Sequence, residues 1–190
     1  QREEAALFDA LDRVLAEDLV SPFSVPPHDN SAMDGFAFDG AMLDSAAPEQ
    51  DIELRVVGTA LAGAAWRGSV SAGEAVKIMT GAVMPAGLDT VIPQEFCTVE
   101  GDKVRFPAKA LKRGDNLRLA GEDLRQGEPA LRRGARFSPA ALGMAGSLGM
   151  ARVPVLRRLR VAYFSTGDEI LSLGEPPRVG GVYDSNRYTG

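Results

Sequence analysis

The chain is poor in the residues whose special chemistry supports much of catalysis and extracellular stability. A single cysteine, Cys97, among 190 residues excludes an intrachain disulfide framework. With one histidine, His28, a Cys/His zinc site has no ligand set. A Ser/His/Asp triad would have His28 as its only base, and no Gly-x-Ser-x-Gly elbow is present to carry the nucleophile. Any bound metal is therefore expected to be hard and oxygen-ligated. No apolar run approaches the roughly 18 residues of a membrane-spanning helix, and the N-terminus lacks the basic and apolar regions of a signal peptide. A cytoplasmic protein with no membrane partner is expected. Positive charge is also scarce. A net charge of −5 argues against nucleic acid as a partner, because phosphate backbones require an excess of Lys and Arg on one face. The densest basic run, Arg157, Arg158 and Arg160, reads as a solvated linker between packed units.

What is present is a globular composition, 45% hydrophobic and 25% charged, with enough length for more than one core. Apolar residues at Ala6, Leu7, Ala10, Leu11, Val14 and Leu15 follow an i, i+3, i+4, i+7 spacing, which predicts an amphipathic helix over 3–17. Between 52 and 106 the texture turns to short strand-like runs, 54–57, 75–79, 90–92 and 104–106, separated by Gly, Pro and Asp. Ser138 and Pro139 before 140–148 predict an N-capped helix stopped at Gly149, followed by a short strand at Val153 and Val155. The tetrad Val161 to Phe164 predicts a strand buried in a parallel sheet, and the turn after it is the kind of loop that holds ligands at a strand's carboxyl end. Asp184, Ser185 and Asn186 offer helix caps with no helix left to cap, so the chain reads as the front part of a longer protein.

Four polar clusters interrupt these runs. The segment from Pro26 to Phe36 packs Asp29, Asn30, Ser31 and Asp34 into a non-periodic stretch. Five residues apart, the two aspartates would lie off a common helix face, whereas a loop can bring both to one cation. A turn closed by Asx and Ser hydrogen bonds explains the same residues. Thr80 and Gly81 follow a strand and provide a hydroxyl and a close backbone approach, or simply a turn. Arg118, Gly121, Glu122 and Asp123 read as a site or as a surface ion pair. Ser165 to Glu169 lacks the lysine of a Walker loop and the order of an aspartic-protease loop. Carboxylates, hydroxyls and glycine amides remain, which suit Mg²⁺-assisted handling of a phosphorylated or oxyanionic ligand.

Taken in order, these clusters resemble the MoeA family, the molybdopterin molybdenumtransferases that include the E domain of gephyrin. Asp29 to Phe36 is similar to the family's Asp-Asn-Ser-Ala-Met-Asp-Gly-Tyr, with Phe36 in place of tyrosine. Ile78 to Ala82, Gly121 to Asp123, Ser165 to Ile170 and Tyr183 to Asn186 resemble its further signatures. The resemblance implies an α+β, multidomain fold: a mixed α/β unit over 1–26 and 121–158, a small β-rich domain over 27–120, and from 159 to 190 the truncated start of a molybdopterin-binding-like α/β domain. It implies insertion of molybdate into adenylylated molybdopterin with release of AMP, Mg²⁺ as cofactor, and a homodimer whose active site lies between subunits. By position in the motifs it implies Asp34, Thr80, Asp123 and Glu169 as catalytic residues. Asp34, Asp123 and Glu169 would be the metal ligands, and Arg118, Gly81, Asp168 and Asp184 would contact substrate. Thr80 and the Gly81 amide would donate to an oxyanion, and Arg118 would grip phosphate or molybdate. Asp29, Asn30 and Ser31 would shape the loop. A gephyrin-like scaffold that binds partner peptides and a tungstate-handling paralogue are the alternatives on the same fold.

Overall fold

The structure, a computed structural model, describes residues 1–189. The chain opens with β1 (Arg2–Ala6) and continues through β2 (Leu19–Val20), β3 (Asn30–Ser31), β4 (Gly35–Phe38), β5 (Asp51–Ala60), β6 (Glu74–Ile78) and β7 (Thr90–Pro93). It proceeds through β8 (Thr98–Glu100), β9 (Lys103–Pro107), β10 (Leu117–Arg118) and β11 (Pro129–Leu131). Helix α1 (Pro139–Ser147), β12 (Arg152–Leu156), β13 (Ile170–Leu171), β14 (Val182–Tyr183) and the one-turn helix α2 (Asn186–Thr189) complete it. No helix among the described residues is long and apolar enough to cross a membrane.

Six strands form one sheet in the order β7-β4-β6-β5-β9-β8. Laid flat at about 4.8 Å per strand, its outer strands would stand roughly 24 Å apart. The sequence joins those same strands, β7 and β8, through residues 94–97 alone, and an extended chain from Pro93 to Thr98 reaches only about 18 Å. The sheet must therefore curl toward closure. Period-2 alternation then decides what lies inside. Phe36 and Phe38 of β4, Ile52 and Leu54 of β5, and Val104 and Phe106 of β9 form a buried cluster, with the Phe38 and Phe106 rings 5.2 Å apart and tilted. The intervening residues Ala37, Val76, Ile78 and Val91 pack on the opposite face with Ala60, Ala82 and Met84.

β5 and β6 run parallel, an arrangement that needs a long crossover, and residues 61–73 supply it. The chain's single tryptophan, Trp66, holds this crossover down. A Cβ atom at Gly58 or at Gly68 would stand 2.1 or 2.3 Å from its ring, so the indole rests on glycine backbone. Gly58→Ala is expected to displace the ring, cost about 1–3 kcal/mol and shift the tryptophan emission to the red. An unchanged emission maximum would show that the ring does not need the space.

A third cluster joins the start of the chain to residues 137–155, with Ala5, Ala10, Leu15 and Leu19 packing against Phe137, Ala141, Ala145, Val153 and Val155. Here the expected helix over 3–17 is replaced by β1, a short 3-10 turn at Leu7–Asp9 and irregular chain. β1 pairs antiparallel with β12, Ala5 opposite Val153. Asp12 sits at φ 63°, a left-handed conformation that no α-helix can pass through. The apolar spacing was helical by coincidence: Ala10 and Leu15 are buried, while Phe8 and Leu11 are exposed. Helix α1 forms as expected, with the Ser138 side chain accepting from the Ala141 N–H at 3.2 Å and Pro139 in its first turn.

Two expectations near the end are corrected. Val161 to Phe164 form no strand and are largely exposed, because an apolar tetrad becomes a buried strand only where neighbours pair with it. The parallel pair in this region is β13 with β14, two residues each. Asp184 does have a helix to cap, since its Oδ1 accepts from the Arg187 N–H of α2 at 3.3 Å.

Candidate functional site

Because β4 and β6 are antiparallel with Gly35 opposite Ile78, the start of one strand lies beside the end of the other. Asp34 immediately precedes β4 and Thr80 follows β6, so residues 46 positions apart in the chain meet at one rim of the curled sheet. The Thr80 N–H and hydroxyl both donate to Asp34 Oδ1, at 2.7 and 2.6 Å. The Thr80 hydroxyl, then the Thr80 N–H and more weakly the Lys77 ammonium hold the Asp34 carboxyl below the usual carboxylate range, against a smaller opposing effect of burial. The Gln94 N–H donates to the Asp34 carbonyl at 3.0 Å, which fixes the loop to the end of β7.

The rest of the loop is held by its own side chains. Ser31, almost fully buried, donates its hydroxyl to the Met33 carbonyl at 2.6 Å and accepts from the Met33 N–H at 3.2 Å. Asp29 Oδ1 accepts from the Ala120 N–H at 2.8 Å. The Gly81 amide, expected as an oxyanion donor, is instead donated to the Ser31 carbonyl at 2.8 Å. What position 81 requires of glycine is a φ of +78°, which turns the chain from β6 back to the loop. The Thr80 hydroxyl is likewise committed, to Asp34 rather than to a ligand.

β3 pairs with β10, placing Asn30 opposite Arg118. The Arg118 guanidinium donates through Nε to Glu122 at 2.5 Å and through a terminal nitrogen to Asp123 at 2.6 Å. These two carboxylates, Glu122 before Asp123, push the already basic guanidinium further up. Glu122 also accepts from the Leu119 N–H at 2.9 Å, so the fork expected to hold phosphate is filled by the chain's own acids. Exposed pairs of this kind contribute little to stability; this one sets the direction of the arginine.

The remaining residues form a third group. The Ser165 hydroxyl donates to the Asp184 carboxylate. The Arg178 guanidinium donates to the Asp168 carbonyl. The Glu169 carboxylate folds over Gly167, where a Cβ would approach it to 2.3 Å. Asp34 thus meets Thr80, Arg118 meets Asp123, and Asp184 meets Ser165. Among the described residues, no three His, Cys, Asp or Glu side chains gather so as to hold a metal ion, so Asp34, Asp123 and Glu169 are not assembled in one chain. Lys77, whose ammonium acts on Asp34, is not among the sequence candidates because the run 75–79 reads as a strand. The signal was a charge in a strand whose neighbours Val76 and Ile78 are fully buried.

A mixed α/β chain built on a curled sheet, with a carboxylate and a hydroxyl locked together at the sheet's rim, is the class of protein that this geometry defines. The MoeA N-terminal region (domain I and II) matches residues 1–149, and the chain belongs to that family. It is 40% identical over 189 residues to the molybdopterin molybdenumtransferase of Haemophilus influenzae, covering 100% of this chain and 46% of that protein. It is 38% identical over 175 residues to the enzyme of the same name from Synechococcus elongatus, covering 92% and 43%. The crystal structure of the molybdopterin biosynthesis MoeA protein from Pyrococcus horikoshii superimposes with a TM-score of 0.89 at 34% identity, over 100% of this chain and 50% of that one. The chain therefore spans about half the length of the relatives it matches.

Proposed function

We propose that this chain is the N-terminal part of a molybdopterin molybdenumtransferase, which inserts molybdate into adenylylated molybdopterin and releases AMP. The observation that carries this reading is the Asp34–Thr80 pair, formed between two family signatures at the rim of the sheet. A carboxylate held below its ordinary pKa range is a poor general base at neutral pH. Asp34 therefore acts by fixed charge and orientation: Oδ1 is saturated by Thr80, and Oδ2 accepts from a water or a protonated oxygen of the substrate. Arg118 is held in a fixed direction by Glu122 and Asp123, and it reaches a substrate anion only by giving up one of these carboxylates.

We further propose the division into a mixed unit over 1–26 and 121–158, a β-rich domain over 27–120 and an α/β beginning over 159–190. The packing of Ala5 to Leu19 on residues 137–155 supports the first unit, and the two clusters within 36–111 support the second. A cytoplasmic homodimer is the assembly and location that the resemblance implies. The Mg²⁺ it implies does not fit a single chain: Asp34 and Asp123 are each bonded within separate groups, and Glu169 lies over Gly167 in a third.

The test is molybdate-dependent AMP release from adenylylated molybdopterin by the full-length protein. We expect release by the wild type and a loss of roughly 10²-fold in Glu169→Gln. No release by the wild type would overturn the assignment, and unchanged turnover in Glu169→Gln would remove that residue from the site.

A further inference from the structure

We infer that Glu122 is the positioning residue for Arg118 and that Asp123 is an exchangeable counter-ion, which leaves the guanidinium when an oxyanion arrives while Glu122 stays. The inference rests on the transferase reading only in taking the ligand of Arg118 to be an oxyanion.

Three observations separate the two carboxylates. Glu122 is tied down at both oxygens. Its Oε1 accepts from Arg118 Nε at 2.5 Å and its Oε2 accepts from the Leu119 N–H at 2.9 Å, while its own N–H returns to the Leu119 carbonyl at 3.2 Å. The side chain thus closes the turn after β10 and leaves Arg118 only if that turn opens. Asp123 has no such tie, because among the described residues its carboxylate is bonded to Arg118 alone, through Oδ2 at 2.6 Å. Its side chain is also 56% exposed against 36% for Glu122, so water replaces the arginine at little cost.

The backbone confines the exchange to side chains. The Asp123 N–H donates to the Val25 carbonyl at 3.0 Å, and Arg118 is paired with Asn30 in the β3–β10 ladder, so neither main chain has to move. A guanidinium held at Nε keeps its direction, and the terminal nitrogen that Asp123 vacates is returned to the fork that grips an oxyanion. Charge supplies the reason for the exchange. One guanidinium between two carboxylates is a net negative cluster, which repels an anion; with Asp123 turned into water, that repulsion is screened. Asp123 therefore competes with the ligand, whereas Glu122 preorganises the arginine for it.

The test is calorimetric titration of the full-length protein with molybdate in one arm and inorganic phosphate in the other, at fixed ionic strength. Asp123→Asn and Glu122→Ala each remove one negative charge beside Arg118, so simple repulsion predicts tighter binding in both. The exchange predicts opposite signs. In the arm that Arg118→Gln weakens, Asp123→Asn is expected to bind about threefold to fivefold tighter than wild type, and Glu122→Ala about threefold or more weaker. Glu122→Gln keeps an acceptor for one of the two bonds and is expected to fall between wild type and Glu122→Ala. Shifts of the same sign in Asp123→Asn and Glu122→Ala, shifts within about twofold in both, or affinities that Arg118→Gln leaves unchanged in both arms would overturn the inference, as would a wild type that binds neither anion. If Glu122→Ala does not fold, Glu122→Gln decides: weaker binding than wild type supports the positioning role, and equal or tighter binding removes it. AMP release by the wild type is read separately, so the exchange and the transferase assignment can each fail alone.

Discussion

Asp34→Asn in the full-length protein is expected to lower molybdate-dependent AMP release by roughly 10²- to 10³-fold, the usual scale for removing one preorganised electrostatic group from an active site. The substitution is nearly isosteric. An asparagine Oδ1 still accepts from the Thr80 N–H and hydroxyl, so the contacts at 2.7 and 2.6 Å that close the rim survive. What disappears is the negative charge and the acceptor at the second oxygen. Exposed substitutions of this kind change stability little, and because both Thr80 contacts survive, a loss of rate cannot be assigned to collapse of the loop. The pH dependence follows from the direction of the Asp34 shift. A depressed folded pKa means that the carboxylate's contribution to stability is present above the ordinary unfolded pKa and is lost only as pH falls through the lower folded one. Titration of Asp34 should then leave the rate flat between about pH 5 and 8. Thr80→Val removes one of the two donors and is expected to move the Asp34 pKa back up. An acid limb that moves toward neutrality in Thr80→Val, measured by the same assay, is the signature; identical pH profiles would show that Thr80 does not tune the carboxylate.

The parts of this fold legible in the sequence are those where local pattern and tertiary context agree. The runs 54–57, 75–79, 90–92 and 104–106 became β5, β6, β7 and β9, because alternating or continuous apolar residues bounded by turn formers leave few other ways to bury them. Helix α1 was legible from its cap and its proline. The first fifteen residues failed for a physical reason. Six small or apolar positions fit a helical face, but the strand at Val153 and Val155 needed an antiparallel partner, and Arg2–Ala6 was the segment that satisfied it. Periodicity within one segment cannot register a pairing that spans about 150 residues. The same limit applies to the site. Residue types at Asp34, Thr80 and Arg118 were readable, whereas their mutual commitments were not. Thr80 and Gly81 looked like free donors, yet the antiparallel register turns both toward the loop. Arg118 looked like an anion fork, yet a four-residue step to Glu122 fills it from the same strand-end turn. The curl itself was legible only once strand order was known, since four residues between β7 and β8 become a constraint only when those strands are the two edges.

Gly35→Ala is expected to be the most destabilising of the substitutions considered, by about 3 kcal/mol or more, with a drop in melting temperature of roughly 10 °C. Gly35 lies in β4 between β6 and β7, opposite both Ile78 and Pro93. A Cβ at this position would stand 2.0 Å from the Ile92 carbonyl oxygen and 3.1 Å from the Pro93 Cα. Both are backbone atoms of a paired strand, so no rotamer change can make room. The strand must move, and two ladders move with it. The consequence reaches the site directly, because Asp34 is the preceding residue and its carbonyl is tied to the Gln94 N–H just beyond the displaced strand. Gly63→Ala is the control that separates space from backbone conformation. Gly63 has φ +80°, a left-handed value, but nothing lies within 4 Å of a Cβ there, so its cost should be near the 1–2 kcal/mol of left-handed strain. If thermal or urea unfolding finds Gly35→Ala no worse than Gly63→Ala, close approach of β7 is not what reserves position 35 for glycine. If the larger loss is found, this glycine is what lets the Asp34 carboxylate start its strand flush against the end of β7.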